Sequence, residues 1–366
     1  MSTTEIPPQQ RSAEGLAERL FGAIIGTFDL AVIHIGDRLG LYRALADGGP
    51  QTSAELAARA GVDERYAREW LEHQAVADIL AVDDEGAPAA RRRYALPDEY
   101  RESLLDPDSP LTVVPMARIT IGALAPIDHM IEAFSTGAGV PYSDYGADAR
   151  EGIAAFNRPM FVNELAQQWF PAIPDVEARL RATPPARVAD IACGSGWSSV
   201  AIARGYPSVR VDGFDVDAPS IEDARALAAA EGLDDRVRFF VHDASDPGLT
   251  GTYDLVTIFE ALHDMARPVE ALRTARGLLA EGGSVIVADE KVSERFAAPG
   301  DELERLNYGF SVLHCLAVGR EDEHSAGTGT VMRPHTVDEY ARAAGFSGAD
   351  VLPLEHDFWR FYRMRG

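Results

Sequence analysis

The sequence predicts a mainly helical region containing a winged helix, followed by a doubly wound α/β sheet. Three observations support this. From Ala186 onward, short apolar strands alternate with helices, which requires right-handed crossovers and a parallel sheet. The segment Gly194-Ser195-Gly196 turns the first of these strands into a helix. Earlier in the chain, a helix, a turn, a second helix and two short strands follow one another between Thr52 and Leu96.

Composition excludes several classes of partner. The chain has 366 residues and a net charge of −24, and a field of that sign repels phosphate backbones and anionic lipid. We therefore expect no nucleic acid and no membrane as partner. The two cysteines cannot build a disulfide framework, and the chain does not open with a basic segment followed by an apolar one. These features predict a cytoplasmic protein.

The first region begins with a predicted loose tail, residues 1 to about 12. From Glu14 to Leu45 apolar residues recur at helical spacing, and the glycines at 48 and 49 stop the run. Thr52 and Glu55 then have the spacing of a capping box that opens a short helix, which Gly61 ends. A second helix is predicted from Glu64 to Ile79.

Leu80–Val82 and Arg93–Leu96 are predicted to form the two strands of a wing. A winged helix suggests DNA binding, but acidic residues outnumber arginines in the second helix, which would have to enter the major groove. A dimerisation or substrate-covering module is the better interpretation. The long apolar helix before it carries more hydrophobic surface than one small domain can bury.

Three segments are predicted: an N-terminal winged-helix and dimerisation domain over residues 1–104, a helical linker that contributes to the substrate pocket over 105–180, and the sheet domain over 181–366. Most aromatic side chains of the linker are expected in the core. The first five predicted strands of the sheet are Val188–Ala192, Val209–Phe214, Val237–Val241, Leu255–Phe259 and Ser284–Ala288. Ligands of such sheets bind at the carboxyl ends of the strands, so we expect the chemistry directly after the first four.

Residues suited to a nucleoside stand at these strand ends. Gly194 and Gly196 allow the backbone to approach a ligand at a helix N-terminus. Asp215 follows the second strand, where a carboxylate can accept both hydroxyls of a ribose. Asp243 and Ala244 follow the third strand and are placed for an adenine ring.

A dinucleotide fits this sequence less well. The pyrophosphate fingerprint requires a third glycine, and Ser199 stands in its place. Asp190, at the end of the first strand, suits a sulfonium nucleoside amino acid better than a pyrophosphate.

Four segments carry a resemblance to a known family. Asp190 to Gly196, Gly213 to Asp215, His242 to Ala244 and Leu262 to Asp264 resemble class I S-adenosylmethionine (SAM)-dependent methyltransferases. With its winged helix, the whole chain is similar to two-domain small-molecule O-methyltransferases. Ala192 stands where the family usually has the first glycine of the loop.

The resemblance implies SAM as cofactor, S-adenosylhomocysteine as product, a small-molecule acceptor and a homodimer joined through the N-terminal domain. It also implies a Rossmann-like sheet of seven strands whose last two, Asp350–Leu354 and Phe358–Arg363, form a hairpin. The cofactor-binding residues that it implies are Arg158, Asp190, Ala192, Gly194, Gly196, Asp215, Val216, Asp243, Ala244 and Phe259.

His263 resembles the general base of the plant-type enzymes, and Glu260 and Asp264 are the carboxylates that would orient it. An imidazole with an ordinary pKa near 6.5 suits removal of a hydroxyl proton at neutral pH. In the alternative interpretation, His263 only packs or caps the next helix. His314 and His335 are second-choice bases, since the segment before Thr330 is expected to fold over the pocket. No Cys or His pair has metal-ligand spacing, so no metal is predicted.

Two other functions remain open on sequence grounds. The same cofactor site would support hydroxylation, decarboxylation or a pericyclic step, and a winged helix with a SAM site would also serve a SAM-responsive regulator. The sequence does not identify the acceptor or choose among O-, N- and C-methylation.

Overall fold

The computed structural model describes residues 12–366, so the predicted tail lies almost entirely outside the described residues. The chain divides into two compact units, Met1–Ile121 and Gly122–Gly366. Within residues 12–366, no helix is both long enough and apolar enough to cross a bilayer.

The first unit contains the predicted winged helix. The capping box of Thr52 and Glu55 is present, and Gly61 ends that helix with a φ of 70°. The two wing strands pair antiparallel, as predicted. Its elements are α1 (Ala13–Arg38), α2 (Leu41–Gly48), α3 (Ser53–Ala60), α4 (Glu64–Val76), β1 (Ala81–Val82), β2 (Tyr94–Ala95), α5 (Arg101–Leu105) and the start of α6 (Val114–Leu124).

The apolar run predicted from Glu14 to Leu45 is two helices rather than one. Gly40 separates α1 from α2 with a φ of 66°, a conformation that interrupts a helix and that glycine adopts readily. Residues of α2, such as Leu41 and Leu45, are buried in the core of the unit together with Trp70.

α1 presents an uncovered apolar face. Seven of its large apolar side chains are between 47% and 65% exposed. They are Leu16, Leu20, Phe21, Ile24, Ile25, Phe28 and Ile35.

The second unit contains the sheet. Its helices are α7 (Ile127–Thr136), α8 (Gly146–Met160), α9 (Pro174–Leu180), α10 (Trp197–Gly205), α11 (Ala218–Ala230), α12 (Pro268–Gly277), α13 (Glu302–Phe310), α14 (Leu316–Gly319) and α15 (Pro334–Ala343). Its strands are β3 (Arg187–Ile191), β4 (Arg210–Asp215), β5 (Val237–Val241), β6 (Tyr253–Phe259), β7 (Leu279–Glu290), β8 (Gly348–Val351) and β9 (Trp359–Arg365).

The seven strands lie in the order β5-β4-β3-β6-β7-β9-β8. β3 to β7 are parallel, and β9 runs antiparallel to β7 and to β8. This confirms the predicted sheet and its terminal hairpin. Consecutive strands lead away from β3 on one side and from β6 on the other, so the topological switch point lies between β3 and β6.

The predicted linker is helical and contains a feature that the sequence did not predict. Pro159 lies inside α8, and a π-helix from Phe161 to Trp169 follows directly. Proline removes a backbone donor and clashes with the preceding turn, so a change of helix type at this point has a steric cause. Most aromatic side chains of this segment, such as Trp169 and Phe170, are buried as expected, and Phe134 is an exception at 75% exposure.

Candidate active site

A pocket opens at the carboxyl ends of β3 and β6, beside the switch point. The glycine loop after β3 forms one side of this pocket, and the end of β6 forms another. It is lined by Tyr142, Arg150, Ile153, Ala154, Asn157, Phe161, Ala192, Cys193, Gly194, Ser195, Trp197, Ser198, Ser220, Phe259 and Glu260. Four of the predicted site residues, Ala192, Gly194, Phe259 and Glu260, are therefore part of one pocket.

The loop after β3 has three residues in the left-handed region. Ala192, Gly194 and Gly196 have φ values of 55°, 50° and 85°. A Cβ added to Gly194 would meet nothing within 4 Å, whereas one on Gly196 would lie 2.7 Å from the ring of Phe239. Gly194 therefore keeps open space at the pocket, and Gly196 allows close packing below it. Ala192 adopts the strained conformation without being glycine, and such strain is typical of functional sites.

Asp215, at the end of β4, is hydrogen-bonded to this loop. Its Oδ2 accepts a hydrogen bond from the backbone N–H of Gly194 at 2.8 Å, and its Oδ1 accepts one from the N–H of Asp217 at 2.9 Å. Burial raises the pKa of the Asp215 carboxyl to about 6. The neighbouring Val216 is 66% exposed, so an apolar side chain is available next to the carboxylate.

Asp190 lies at the end of β3, as predicted, and is hydrogen-bonded within the protein. It is fully buried, and its carboxylate accepts hydrogen bonds from the hydroxyls of Ser198 and Ser199 at 2.6 Å and of Thr257 at 2.8 Å. With its oxygens bonded to these hydroxyls, Asp190 ties the start of α10 to β6. Its predicted contact with the cofactor stays a prediction.

The predicted arginine, Arg158, lies beside a residue of the pocket lining. The guanidinium of Arg158 stacks over the ring of Trp197 at 4.2 Å, and of these two residues only Trp197 lines the pocket. Among the described residues, the arginine in the lining is Arg150, whose Nε lies 3.4 Å from Asp223. Sequence reasoning missed Arg150 because it belongs to α8 and to no motif.

Asp243 follows β5 at the surface. Its carboxylate accepts hydrogen bonds from the backbone N–H and the hydroxyl of Ser245, and Arg267 lies 3.2 Å from it. Ala244 beside it is buried. Phe259 is buried at the end of β6, where it packs against Phe161 and lines the pocket.

Glu260 is the first residue after β6 and faces the pocket. Its φ of 51° is unusual for a residue with a side chain, and its carboxylate accepts a hydrogen bond from the Asn157 amide. Burial raises the pKa of Glu260 to about 7. Asn157 comes from α8 and was not among the predicted site residues.

His263 lies in a cage of carboxylates. It is 2% exposed, its Nδ1 is 2.7 Å from Asp289 and 3.0 Å from Glu290, and its Nε2 is 3.1 Å from Asp264. Asp289 and Glu290 end β7. Sequence reasoning missed them because it considered the ends of the first four strands only, although the same strand-end rule would have found them.

The cage sets the charge of His263. Burial alone lowers the pKa of the imidazole, but the negative charges of Asp264, Asp289 and Glu290 outweigh burial and hold that pKa well above 6.5. Burial likewise raises the pKa of Asp264, and the charge of His263 overcomes it and lowers the pKa to about 2. The cage therefore favours the cationic form of His263. Its role as a general base stays a prediction.

The structure places the two second-choice bases in different surroundings. His314 is buried, with its Nε2 lacking a hydrogen-bond partner, whereas His335 is exposed at the start of α15. The fold also brings possible metal ligands together from distant segments. One ligand atom each of His263, Asp289 and Glu290 lie within 4.8 Å of one another, as do those of His263, Asp264 and Cys315. The prediction of no metal rested on spacing along the sequence. It therefore did not consider side chains that the fold brings together from distant segments.

Known proteins match both parts of the chain. Residues 188–283 match the family model of a methyltransferase domain, and residues 29–105 match that of an Rv2258c-like winged HTH domain. The acetylserotonin O-methyltransferase of Mus musculus molossinus is 28% identical over an alignment of 311 residues that covers 79% of this chain and 78% of the mouse enzyme. The ajmaline N-methyltransferase of Rauvolfia serpentina is 28% identical over 134 residues, 35% of this chain and 46% of the plant enzyme. The chain thus spans less than half the length of that plant relative.

Solved structures share the whole architecture. The mitomycin 7-O-methyltransferase has a TM-score of 0.70 at 22% identity, with 96% of this chain and 98% of that chain covered. The human N-acetylserotonin methyltransferase, solved with SAM, has a TM-score of 0.65 at 18% identity and covers 100% of this chain and 99% of its own. At these identities the likeness shows a shared fold.

The fold, the glycine-loop pocket and the matched domain define an enzyme of the SAM-dependent methyltransferase class. A winged HTH domain, residues 29–105, precedes the methyltransferase domain, and the solved mitomycin 7-O-methyltransferase shares this fold.

Proposed function

We propose that the chain transfers a methyl group from SAM to an oxygen of a small hydroxylated acceptor. One observation carries the proposal: a single pocket joins the strained loop at Ala192 and Gly194 to the buried carboxyl of Glu260. The loop offers backbone groups and open space to a nucleoside. The side of the pocket that carries Glu260 offers groups that exchange protons. A relative whose alignment covers 79% of the chain is named an O-methyltransferase.

The loop side fits SAM. The open space above Gly194 is a cradle that a Cβ would fill, and Asp215 holds a carboxylate at the end of the neighbouring strand. Asp215 is the proposed ribose ligand, with Val216 beside it, and Asp243 with Ala244 the proposed adenine ligands. Phe259 offers backbone to the methionine end. Arg150, rather than Arg158, is the proposed partner of the cofactor's carboxylate, because Arg150 lines the pocket.

The bound cofactor supplies an activated methyl group on a sulfonium, so the chain has two remaining tasks. It must hold the acceptor oxygen in line with the methyl group, which proximity and orientation achieve. It must also receive the hydroxyl proton, a contribution of about 10²–10⁴-fold for a positioned base. Tyr142, whose pKa is raised by burial and by the charges of Asp215, Asp217 and Asp264, lies between the loop side and the acid side.

The resemblance implies His263 as the base, oriented by Glu260 and Asp264. The carboxylates around His263 set a condition on that role. An imidazolium accepts no proton until it has lost its own. Because the pKa of His263 lies well above 6.5, a reaction that uses it as base accelerates with pH into the alkaline range.

Nucleic acid is not a proposed partner. Four arginines of α4 and of the wing are already engaged by carboxylates of the same unit, which reduces the positive charge available for phosphate. The pairs are Arg65 with Glu69, Arg68 with Glu64, Arg92 with Glu72, and Arg93 with Glu55.

Product analysis tests the reaction. The protein is incubated with SAM and, separately, with phenol, catechol, 1-naphthol and aniline, and products are identified by mass and fragmentation. The expected result is one methyl group added at oxygen, with an equal amount of S-adenosylhomocysteine. A hydroxylated or decarboxylated product, or methylation of aniline alone, would contradict the proposal.

We also propose that the apolar face of α1 is covered by a second copy of this chain. A run of large side chains such as Phe21 and Phe28, 65% and 62% exposed, is costly to leave in water. Sedimentation equilibrium at micromolar concentration should give a dimer, and Phe21→Ser with Phe28→Ser should give a monomer. A monomeric wild-type protein would rule the dimer out.

A further inference from the structure

Asn157 lines the pocket and carries a buried amide oxygen that has no hydrogen-bond partner. The residue is 7% exposed, and its Nδ2 donates a hydrogen bond to the carboxylate of Glu260. That bond uses the nitrogen side of the amide, so Oδ1 remains as an acceptor without a donor. Buried polar atoms are nearly always hydrogen-bonded, so this oxygen indicates a partner outside the chain, such as a ligand or a water molecule.

One face of α8 borders the pocket. Its lining residues are spaced by three and four positions, which places side chains on the same side of a helix. They are Arg150, Ile153, Ala154 and Asn157. Glu260 joins them from the end of β6, where its φ of 51° is a conformation that residues with a Cβ rarely adopt. Two distant segments thus bring an amide oxygen and a carboxylate to the same part of the pocket.

The charged groups of the lining match those of an amino acid. Among the described residues that line the pocket, Arg150 and Glu260 are the charged ones, and their charges are opposite in sign. An α-amino acid group carries one carboxylate and one ammonium. A guanidinium binds a carboxylate through parallel N–H groups, whereas an ammonium has three donors and therefore requires acceptors. Oδ1 of Asn157 and the carboxylate of Glu260 are two acceptors on neighbouring side chains.

We propose that Oδ1 of Asn157 and the carboxylate of Glu260 bind the α-ammonium group at the amino-acid end of SAM. This assignment rests on the proposed function, which takes SAM as the methyl donor. The ammonium donates to both oxygens, while Nδ2 of Asn157 holds the carboxylate in place. The ammonium also supplies the positive charge that a buried carboxylate requires.

The assignment gives Glu260 a binding role and leaves His263 as the proposed base. Asp264 and Asp289 already contact the two ring nitrogens of His263, at 3.1 and 2.7 Å. The imidazole is therefore oriented without Glu260, whose carboxylate is available to the cofactor.

Two analogues of S-adenosylhomocysteine isolate the ammonium. The first lacks the ammonium because 4-mercaptobutyrate replaces homocysteine, and the second lacks the carboxylate because 3-mercaptopropylamine replaces it. A hydrogen bond to a charged group changes affinity by about tenfold or more. Calorimetry should therefore show that wild type binds S-adenosylhomocysteine at least about tenfold more tightly than the analogue without the ammonium.

Two variants test the two acceptors separately. Asn157→Ala removes the amide oxygen, and Glu260→Gln removes the negative charge with little change of size. Each should weaken the binding of S-adenosylhomocysteine and of the analogue without the carboxylate by about tenfold. Neither should weaken the binding of the analogue without the ammonium by more than twofold. Asn163→Ala is the matched control, because it changes an exposed asparagine in the π-helix after α8, and it should bind all three ligands like wild type.

Equal losses for S-adenosylhomocysteine and for the analogue without the ammonium would overturn the assignment, because a structural defect affects both ligands alike. If Asn157→Ala does not fold, Glu260→Gln alone decides by the same criterion. Wild-type protein that binds both ligands equally would also overturn the assignment, with a water molecule as the partner of Oδ1. Methyl transfer to oxygen, which product analysis tests, would stand in these cases. If wild type binds no S-adenosylhomocysteine, the proposed function fails and this assignment fails with it.

Discussion

The two sides of the pocket satisfy their carboxyl groups in different ways. On the loop side, Asp190 accepts hydrogen bonds from three hydroxyls, and Asp215 accepts them from two backbone N–H groups. On the acid side, Asp264, Asp289 and Glu290 surround one imidazole, with carboxylate oxygens 2.7 to 3.1 Å from its two ring nitrogens. Neutral donors fix a carboxylate in place independently of any titrating partner. The acid side depends on the proton of His263, so pH and charge-removing mutations should act more strongly there.

The largest expected effect is the loss of the charge on His263. His263→Gln leaves buried carboxylates without a counter-charge, and breaking a buried ion pair in this way costs about 3–5 kcal/mol of the free energy of unfolding. The folded pKa of His263 lies above the unfolded value of 6.5, so its stabilisation is complete below pH 6.5 and is lost as pH rises through the folded pKa. The difference between wild type and variant should therefore shrink in alkaline solution, as chemical denaturation at several pH values will measure.

His314→Gln is the matched control for this comparison. It removes a buried imidazole that is neutral at pH 7, so we expect a smaller cost that changes little between pH 7 and the alkaline range. Equal costs for the two variants at pH 6.5 to 7 would mean that the cage does not depend on an imidazolium.

The fold was largely predictable because its signals are local. The alternation of strands and helices after Ala186, the capping box at Thr52 and the glycine turn at Gly194 each act over a few residues. The break at Gly40 was missed because the apolar spacing continues through it. The π-helices were not predictable, since they depend on how Pro159 and the surrounding aromatic side chains pack.

The candidate site also has one side that was predictable from the sequence and one side that was not. The loop side follows from strand-end positions, and the structure places Gly194, Asp215 and Phe259 near one another as that rule expects. The acid side combines the ends of β6 and β7 with a distant π-helix. The neighbourhood of His263, Asp289 and Cys315 is a result of tertiary packing that no spacing in the sequence encodes.

A smaller effect is expected on the loop side, where Asp215→Ala tests the proposed ribose ligand. Hydrogen bonds to a charged group contribute about 1.5–3 kcal/mol each, so SAM affinity should weaken at least about tenfold. Asp243→Ala is the control, because Ser245 and Arg267 already engage that exposed carboxylate, and its loss should be smaller. The pKa of Asp215 is about 6, so wild-type affinity should also fall below pH 6, as the protonated acid no longer accepts from both hydroxyls. If calorimetry finds unchanged SAM affinity in folded Asp215→Ala, Asp215 does not bind the cofactor. That result would also contradict the proposed difference between the two sides of the pocket.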